Sequence, residues 1–501
     1  MARREHLLSA ATGSGGDHEM QLDILSDKPT TEVGSYFISN YPPFSAWSAG
    51  QTGAVERVLG EASAAPTRVT SARPAPGNGS TGAPTSAAPA SGAPASASPV
   101  SDLSPSDPPP LGLYLHIPFC RKRCHFCYFR VYTDKNSSDV DAYIDALSHE
   151  VALYARRERF RDRPFDFVYF GGGTPSFLSN EQLRLLVGRI NEHWHWDHAR
   201  EVTFECEPGT LKESKLEVIR DIGVTRLSLG VEHFDDETLA LNGRAHKSPE
   251  IFRAYDWARR VGFPQINLDL IAGMVGDTED RWHAAVERAL DMAPDSLTVY
   301  QMEVPHNTTL ARDAKAHGEA PPVAGWSTKR AWVDAAFRRF EQAGYVVSSA
   351  YTVVKPGPRA AFRYRDALWR GADMVGTGVA SFSHVAGVHF QNADRWEDYL
   401  DALASDRLPI ARAFVTTDRQ RFIRELVLQL KLGRIDLAYF RGKFAAEAVT
   451  ERRPVLDALV EEGFARFSGS DAFELTRAGL LRVDGLLPRF FEPQFQGVRY
   501  T

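Results

Sequence analysis

The chain has 501 residues and a formal net charge of −6, and at about 150 residues per domain it would form two or three folding units. An acidic chain offers no basic footprint for nucleic acid, and no run of about 18 apolar residues marks a membrane-spanning helix. The first residues, MARREHLLSAATG, contain no apolar stretch long enough for a secretory signal. We therefore expect a cytoplasmic protein that acts on a small-molecule substrate, with no nucleic-acid partner and no membrane span.

The first 110 residues divide into two parts. Residues 1–60 contain one aromatic-rich stretch, 34–47, which is too short to fold alone and is expected to dock on the main body. Residues 61–110 consist almost entirely of Ala, Pro, Ser, Thr and Gly. That composition cannot bury enough apolar surface to offset its ordering entropy, so it predicts a disordered linker.

In residues 111–405, short apolar runs alternate with amphipathic helical stretches. This alternation predicts a parallel α/β sheet with crossover helices, and about six such units favour a partial or complete barrel. The predicted strands are LGLYLHI, FDFVYF, EVTFEC, RLSLGV, QINLDLI, DSLTVYQ and YVVSSAY. The predicted helices cover residues 139–157, 180–193, 211–222, 249–261, 278–291 and 329–343.

Residues 406–501 follow a different pattern. Helices are predicted over 421–431 and 445–462, then short strands over 465–467 and 472–475, then a final helix from Thr476. Two helices followed by a hairpin are typical of a winged helix. Such a unit either binds DNA or serves as a structural cap, and the acidic charge of the chain favours the cap.

Three of the four cysteines lie within eight residues of each other, directly after the first predicted strand. Cys120, Cys124 and Cys127 are spaced C-x3-C-x2-C, which allows three thiolates to hold three irons of a 4Fe–4S cluster and leaves one iron open. An open iron can bind the amino and carboxylate groups of S-adenosylmethionine and pass an electron into its sulfonium. The alternative is zinc, whose structural sites use four ligands in paired spacing. The distant Cys206 is predicted to be buried as a small hydrophobe.

A glycine run and several polar residues follow later strands. Gly171–Gly173 and Thr174 come at the end of the second predicted strand, where the backbone can approach a ligand closely and bond a polar head group. In a barrel, the ends of the strands also carry the chemistry. The polar residues predicted at such ends are Glu205, Glu232, Arg244 and Asp269, which form either a ligand site or a salt-bridge network at the rim.

These motifs, in this order, resemble the oxygen-independent coproporphyrinogen III oxidase family, which includes heme chaperones and class C radical methyltransferases. The resemblance extends from residue 113 to about residue 488. The matching stretches are 114–120, 169–175, Glu205 with Pro208, 226–231, Arg244 with His246, 267–271, 371–384, Asn392 with Tyr399, and 475–476 with Gly479.

The resemblance implies a partial (β/α)6 barrel of the radical S-adenosylmethionine type with a helical and winged C-terminal domain. It also implies a 4Fe–4S cluster, one or two molecules of S-adenosylmethionine, and an electron donor such as a flavodoxin or ferredoxin. Asn40-Tyr41-Pro42 is similar to a Tyr-Pro segment that folds over the active site in the oxidases. The implied S-adenosylmethionine site consists of Tyr114, Gly171, Gly172, Gly173, Thr174, Glu205, Glu232, Arg244 and Asp269.

The sequence departs from the family pattern at several positions. Phe129 stands where the oxidases have a fourth cysteine, and YRDALW from Tyr364 stands where the chaperones have a His-Asn pair before Tyr-Trp. Glu232 replaces the usual Gln, and Glu207 replaces the Asn or Asp of Glu-x-Asn-Pro. Both replacements add negative charge near the expected ligand.

Three functions stay open at this point. The first is radical chemistry on an organic substrate, in the simplest case decarboxylation of coproporphyrinogen III propionates. The second is methyl transfer or cyclopropanation with two molecules of S-adenosylmethionine, and the third is a heme chaperone in which His384 or His389 ligates iron. Tyr128, Arg130 and Tyr132 are candidates by position for orienting a substrate, and the oligomeric state is not predicted.

Overall fold

A computed structural model describes residues 39–62, 109–358 and 360–498. Its first helix, α1 (Gly53–Leu59), precedes a sheet of twelve strands. Six parallel strands, β1 to β6, lie side by side in chain order in that sheet. They are β1 (Leu111–Ile117), β2 (Phe165–Gly172), β3 (Glu201–Cys206), β4 (Arg226–Glu232), β5 (Gln265–Ala272) and β6 (Ser296–Gln301). The predicted linker falls largely on residues 63–108, outside the described residues.

Helices connect the parallel strands, as the alternation predicts. Their starts are well capped: the side chains of Asn136 and Ser179 each accept from a backbone N–H at the third helical position, within a capping box. The connecting helices are α2 (Ser137–Ala155), α3 (Asn180–Asn191), α4 (Glu213–Asp221), α5 (Asp236–Leu241), α6 (Ser248–Val261), α7 (Glu279–Met292), α8 (Thr309–His317) and α9 (Trp326–Gln342).

The two faces of the parallel strands differ in chemistry. On β4, Leu227 and Leu229 belong to a large apolar core that also contains residues of the flanking helices, such as Leu216 and Ile251. The alternate residue Ser228 is buried in a polar network on the opposite face. The helices therefore cover an apolar outer face, and the curved sheet encloses a polar inner face.

The sheet does not close into a full barrel. β6 pairs with the antiparallel strand β8 (Thr352–Val354), which pairs with β7 (Val346–Val347). The predicted strand YVVSSAY is therefore wrong as one parallel strand, because the chain turns back between its two ends. On the other side, β1 pairs in parallel with β9 (Asp373–Thr377), and three antiparallel strands extend the sheet: β10 (Phe382–Val385), β11 (Val388–Asn392) and β12 (Ile410–Val415).

A short helix packs against the inner face of the sheet. This helix, α10 (Arg363–Trp369), begins with the N–H groups of Arg363 and Tyr364 donating to Glu201 at 2.8 and 3.1 Å. Just before it, Phe362 lies under the guanidinium of Arg226, 4.0 Å from ring centroid to Cζ. These contacts place α10 near the amino ends of β2 to β4.

The C-terminal part has a second apolar core. It follows helix α11 (Trp396–Ala404) and is built on α12 (Asp418–Leu430), whose central residues are buried. A three-stranded antiparallel sheet orders its strands β13, β15, β14. The elements are β13 (Arg434–Asp436), α13 (Leu437–Lys443), α14 (Ala446–Glu461), β14 (Ala465–Ser468), β15 (Ala472–Leu475), α15 (Arg477–Leu480) and α16 (Val483–Leu486).

The predicted hairpin and its flanking helices appear in this region, within a few residues of their expected bounds. β13 and α13 lie between the predicted helices and were not expected, because three- and seven-residue elements carry no periodic signal. In the described part of the chain, no helix is long and apolar enough to cross a membrane.

The N-terminal segment docks on the main body, as expected for its described part. Tyr41 is fully buried and stacks on Phe491 at 4.9 Å between ring centroids. Its hydroxyl donates to Glu492 Oε2 at 3.1 Å. The guanidinium of Arg424, on α12, donates to Asn40 Oδ1 at 2.7 Å. These contacts attach the segment to the C-terminal core, and the expectation that it covers an active site stays a prediction.

Candidate active site

The cysteine loop follows β1 and is fixed at its base by backbone hydrogen bonds. The N–H of Cys120 donates to Tyr132 O at 3.0 Å, and the N–H of Tyr132 donates to Pro118 O at 2.7 Å. Cys120, Cys124 and Cys127 are free thiols of intermediate exposure, whereas Cys206 is buried as predicted. The three loop thiols therefore lie at the carboxyl end of the parallel strands, where a barrel carries its chemistry.

His125, inside this loop, ties it to two neighbouring elements. Its N–H donates to Asn242 O at 3.0 Å and its Nδ1 lies 3.0 Å from Leu241 O, both at the end of α5. Its carbonyl accepts from the N–H of Leu310 at 3.0 Å, in the first turn of α8. These bonds orient the loop from the side away from β1.

Two polar groups approach the loop sulfurs. Arg244 Nη1 donates to Cys124 Sγ at 3.2 Å, and Thr174 Oγ1 lies 3.3 Å from Cys120 Sγ. Burial raises the pKa of the Cys120 thiol to about 11 and that of Cys127 to about 12. At neutral pH these two thiols are protonated without metal, so binding a metal cofactor would release protons.

The donor set fits an iron–sulfur cluster. Among the described residues, no group of three or more His, Cys, Asp or Glu side chains converges as the ligands of one metal ion do. In a cubane cluster each thiolate reaches a different iron, so the sulfurs surround the cofactor without meeting at one point. Cysteine sulfurs on one short loop, with polar donors beside two of them, suit that arrangement.

The glycine run ends β2 directly against the cysteine loop. The N–H of Gly173 donates to Ile117 O at 2.8 Å, and a Cβ at Gly173 would lie 2.9 Å from Phe119 O. Gly172 has a φ of +111°, and a Cβ there would lie 2.5 Å from the ring of His116. Only glycine fits this approach of backbone to backbone, so the run positions the loop as well as offering polar groups to a ligand.

Glu205 and Asp269 are two carboxylates on the inner face of the sheet. Glu205 accepts from the hydroxyl of Tyr169 at 2.6 Å and from the N–H of Gly172 at 3.2 Å. Burial raises the pKa of Glu205 to about 7, and burial also raises the pKa of Asp269. Asp269 lies within β5, three residues before its end, and accepts from Ser228 at 2.9 Å. The expectation of a strand end is therefore wrong for Asp269, although its carboxylate lies on the inner face.

Glu232 and Arg244 form a buried pair. Arg244 Nη1 lies 3.5 Å from Glu232 Oε1, and Arg244 Nη2 donates to Gly230 O at 2.7 Å. Burial raises the pKa of Glu232 to about 7, with Arg244 lowering it and Asp269 raising it. Glu232 has a φ of +62°, which is uncommon outside glycine and marks strain at this site. Arg244 lies in the loop after α5, so the expectation that it ends a strand is wrong.

Tyrosines complete the inner face, and the sequence reasoning found only Tyr114 among them. Tyr114 stacks with Tyr169 at 5.8 Å between ring centroids, and Tyr169 lies 4.3 Å from Tyr364 on α10. Tyr169 stands two residues before Gly171, so strand alternation would have placed it on the same face. No local pattern could have placed Tyr364 beside Tyr169, because α10 is almost 200 residues away from β2 in the sequence.

Tyr128 and Tyr300 line the open end of this interior. They are 38 % and 39 % exposed, yet burial among surrounding atoms raises the pKa of each. The carboxylates of Asp269, Glu205 and Glu232 raise the pKa of Tyr300 further. Tyr300 therefore lies close to the inner carboxylates, although part of its side chain is exposed.

The other two candidates for orienting a substrate lie elsewhere. Arg130 is exposed and lies 3.5 Å from Asp394, in an exposed ion pair. Tyr132 packs on Trp396 at 5.1 Å between ring centroids. Besides burial, the charge of the inner carboxylate Glu205 contributes to the raised pKa of Tyr128.

The sequence of this chain is similar to one family model and to several characterised proteins. Residues 114–289 match the family model of the radical SAM superfamily, where SAM is S-adenosylmethionine. The heme chaperone HemW of Bacillus subtilis is 28 % identical over 373 residues, which cover 74 % of this chain and 96 % of that protein. The oxygen-independent coproporphyrinogen III oxidase of Synechocystis is 26 % identical over 404 residues, covering 76 % and 84 %. Residues 114–289 therefore match a radical SAM domain, and most of the chain is similar to HemW and to oxygen-independent coproporphyrinogen III oxidase.

The fold comparison agrees. Coproporphyrinogen III oxidase (HemN) from Escherichia coli superposes with a TM-score of 0.67 at 23 % identity, covering 77 % of this chain and 91 % of that one. The partial barrel of the radical SAM type, which the resemblance implies, is therefore confirmed. Relatives named as oxygen-independent coproporphyrinogen III oxidases and relatives named as heme chaperones both match, so the comparisons do not decide between these two activities.

Proposed function

We propose that the chain is an enzyme that cleaves S-adenosylmethionine at a 4Fe–4S cluster bound by Cys120, Cys124 and Cys127. The observation that carries this proposal is the pair of polar groups on the loop sulfurs, Arg244 at 3.2 Å and Thr174 at 3.3 Å. Donors to ligand sulfurs orient the ligands and tune the metal centre. When bound, the cluster supplies the electron that cleaves S-adenosylmethionine, and the resulting 5′-deoxyadenosyl radical takes a hydrogen atom from the substrate.

The inner face supplies the groups that would hold S-adenosylmethionine. Gly171–Gly173 lie beside the cysteine loop, and the side chains of Tyr114 and Glu205 lie close to Gly171. The carboxylates of Glu205 and Asp269 would accept from the ammonium group or the ribose hydroxyls, and Arg244 would accompany a carboxylate. Tyr114 and Thr174 lie beside the same backbone.

For the substrate, we propose a porphyrinogen propionate, by analogy with the relatives named as coproporphyrinogen III oxidases. After the radical takes a hydrogen atom, the propionate would lose carbon dioxide and pass one electron to an external acceptor, which leaves a vinyl group. The open end between Tyr128 and Tyr300 offers partly exposed aromatic walls for a large ring. Phe129, where the resemblance expects a fourth cysteine, is 43 % exposed and stacks on Tyr128. This aromatic pair is what distinguishes the mouth of this chain from the oxidase pattern.

Heme delivery is the alternative that the HemW relatives suggest, and two observations disfavour it. Tyr364 occupies the position of the chaperones' histidine and packs against Tyr169 in the interior. His384 and His389 are buried, with their Nδ1 atoms 2.9 Å apart, and His389 Nε2 also lies 3.1 Å from Tyr41 O. These two rings face each other and the N-terminal segment, so they are not presented to a heme in solution.

An anaerobic assay tests this proposal and separates the alternatives. The protein is reconstituted with iron and sulfide, reduced, and given S-adenosylmethionine with coproporphyrinogen III. Decarboxylated porphyrinogen with matching 5′-deoxyadenosine supports the oxidase proposal. Deoxyadenosine without that product removes the porphyrinogen as substrate, and S-adenosylhomocysteine among the products indicates methyl transfer. Stoichiometric heme binding without any deoxyadenosine would reject catalysis in favour of a chaperone.

A further inference from the structure

Glu207 is a departure from the family pattern that the proposed chemistry does not use. It follows β3 directly, and its Oε1 accepts from the N–H of Gly209 at 3.1 Å. Only 12 % of its side chain is exposed. The resemblance expects Asn or Asp here: Asn is neutral, and Asp carries the charge on a side chain that is one methylene shorter.

The carboxylate of Glu207 connects the cysteine loop to the rest of the inner face. Arg121, the residue after Cys120, donates from Nη2 to Glu207 Oε2 at 2.9 Å. On the other side, His246 Nδ1 lies 2.9 Å from Glu207 Oε1, and His246 Nε2 lies 3.2 Å from Val231 O at the end of β4. One carboxylate therefore joins the cysteine loop, the end of β3 and the end of β4.

Glu207 lies beside the cysteine loop, because its partner Arg121 is the residue after Cys120. Burial alone would raise the pKa of Glu207 itself, but His246, Arg244 and Arg121 outweigh burial and lower it. Glu207 therefore carries its negative charge at neutral pH, close to the place of the cofactor.

We propose that Glu207 is a positioning residue that fixes Arg121 on the cysteine loop and lowers the reduction potential of the bound cluster. This inference rests on the proposed function, because it requires the 4Fe–4S cluster. A cluster's potential depends on nearby charge and on hydrogen bonds to its sulfurs. Arg244 and Thr174 favour the added electron, and Glu207 opposes it. The reduced cluster consequently becomes a stronger reductant toward the sulfonium.

Opposite shifts in two single variants test the proposal. The reduced fraction of the cluster is followed by electron paramagnetic resonance during a redox titration of the whole chain. Glu207→Gln removes a negative charge, so at the wild-type midpoint we expect the ratio of reduced to oxidised cluster to rise about three- to tenfold, tenfold being about 59 mV for one electron. Arg121→Gln removes the opposing positive charge, and its ratio should fall by a similar factor.

Two more variants separate charge from structure. The double variant Glu207→Gln with Arg121→Gln should return to within about twofold of the wild-type ratio, because the two charges are removed together. Glu207→Asp keeps the charge and should also stay near the wild-type ratio. Glu213→Gln is the matched control. Glu213 on α4 is an exposed carboxylate paired with Arg260 on α6, and its substitution should not shift the potential.

The proposal is overturned if both single variants keep the wild-type potential or shift it in the same direction. If Glu207→Gln fails to bind a cluster, Arg121→Gln decides the matter alone, and an unshifted potential there rejects the tuning. A wild-type chain that binds no cluster at all would instead reject the proposed function. The two failures are therefore distinguishable in one set of samples.

Discussion

The inner and outer faces of the six parallel strands differ in chemistry, although residues next to each other in sequence alternate between them. On β4, Leu227 is fully buried in the apolar core under the helices, whereas the next residue, Ser228, donates to Asp269 on the inner face. The outer face gains free energy from apolar burial. The inner face holds carboxylates whose pKa values are raised by burial, which costs stability once they ionise. Stability and chemistry are thus divided between the faces of the same strands.

Truncation of an outer-face residue should have the largest effect on stability. Leu227→Ala removes a fully buried side chain from the core, and we expect a loss of about 2–5 kcal/mol in the free energy of unfolding. Ser228→Ala, one residue away on the other face, should cost only about 1 kcal/mol through lost hydrogen bonds. Urea titrations of both variants measure the difference, and equal losses would contradict the division between the faces.

A substitution in the glycine run should damage chemistry far more than stability. A Cβ at Gly173 would lie 2.9 Å from backbone atoms of the cysteine loop, so Gly173→Ala must displace that loop. We expect deoxyadenosine formation to fall about 100-fold, since displacements near 1 Å cost that much. Gly188→Ala is the matched control, because a Cβ on that helical glycine meets nothing within 4 Å. Similar rates for both variants would show that the run does not position the loop.

The smallest effect concerns pH and the inner carboxylates. Burial raises the pKa of Glu232 to about 7 in the folded chain from 4.5, so the stability it contributes is complete below pH 4.5 and is lost as pH rises to about 7. Glu232→Gln cannot ionise, so we expect it to be more stable than the wild type above pH 7 by at most ~3 kcal/mol. Thermal denaturation of the cofactor-free proteins across this pH range measures the difference in stability between Glu232→Gln and the wild type. Glu213→Gln should not show such a difference. A gap that widens toward acid would have the wrong sign.

Much of the fold follows from local patterns in the sequence. The six parallel strands and their helices have strong apolar periodicity, and each predicted helix agrees with the structure within a few residues. β9 to β12 could not be placed in this way, because their order in the sheet depends on pairing across long stretches of chain. The same holds for α10, a seven-residue helix whose position against the inner face is set by contacts with Glu201 and Tyr169.

The sequence predicted which residues belong to the candidate site, but it did not predict the contacts between their side chains. Spacing identified the cysteine loop, and strand order identified the inner carboxylates. The contacts of Arg244 with Cys124, and of Glu207 with Arg121 and His246, join residues tens of positions apart. Side-chain geometry fixes such pairs, so no local spacing could have shown that Glu207 pairs with Arg121 and His246 while Glu232 pairs with Arg244.

The central claim is that the three loop cysteines, and not Cys206, hold the cluster that cleaves S-adenosylmethionine. The most direct test reconstitutes the wild type, Cys124→Ala and Cys206→Ala anaerobically, then measures bound iron and sulfide together with deoxyadenosine formed after reduction. We predict that Cys124→Ala loses both the brown absorbance of the cluster and deoxyadenosine, while Cys206→Ala keeps both. A Cys124→Ala protein with full cluster content and activity, or a folded Cys206→Ala protein without a cluster, would contradict the account.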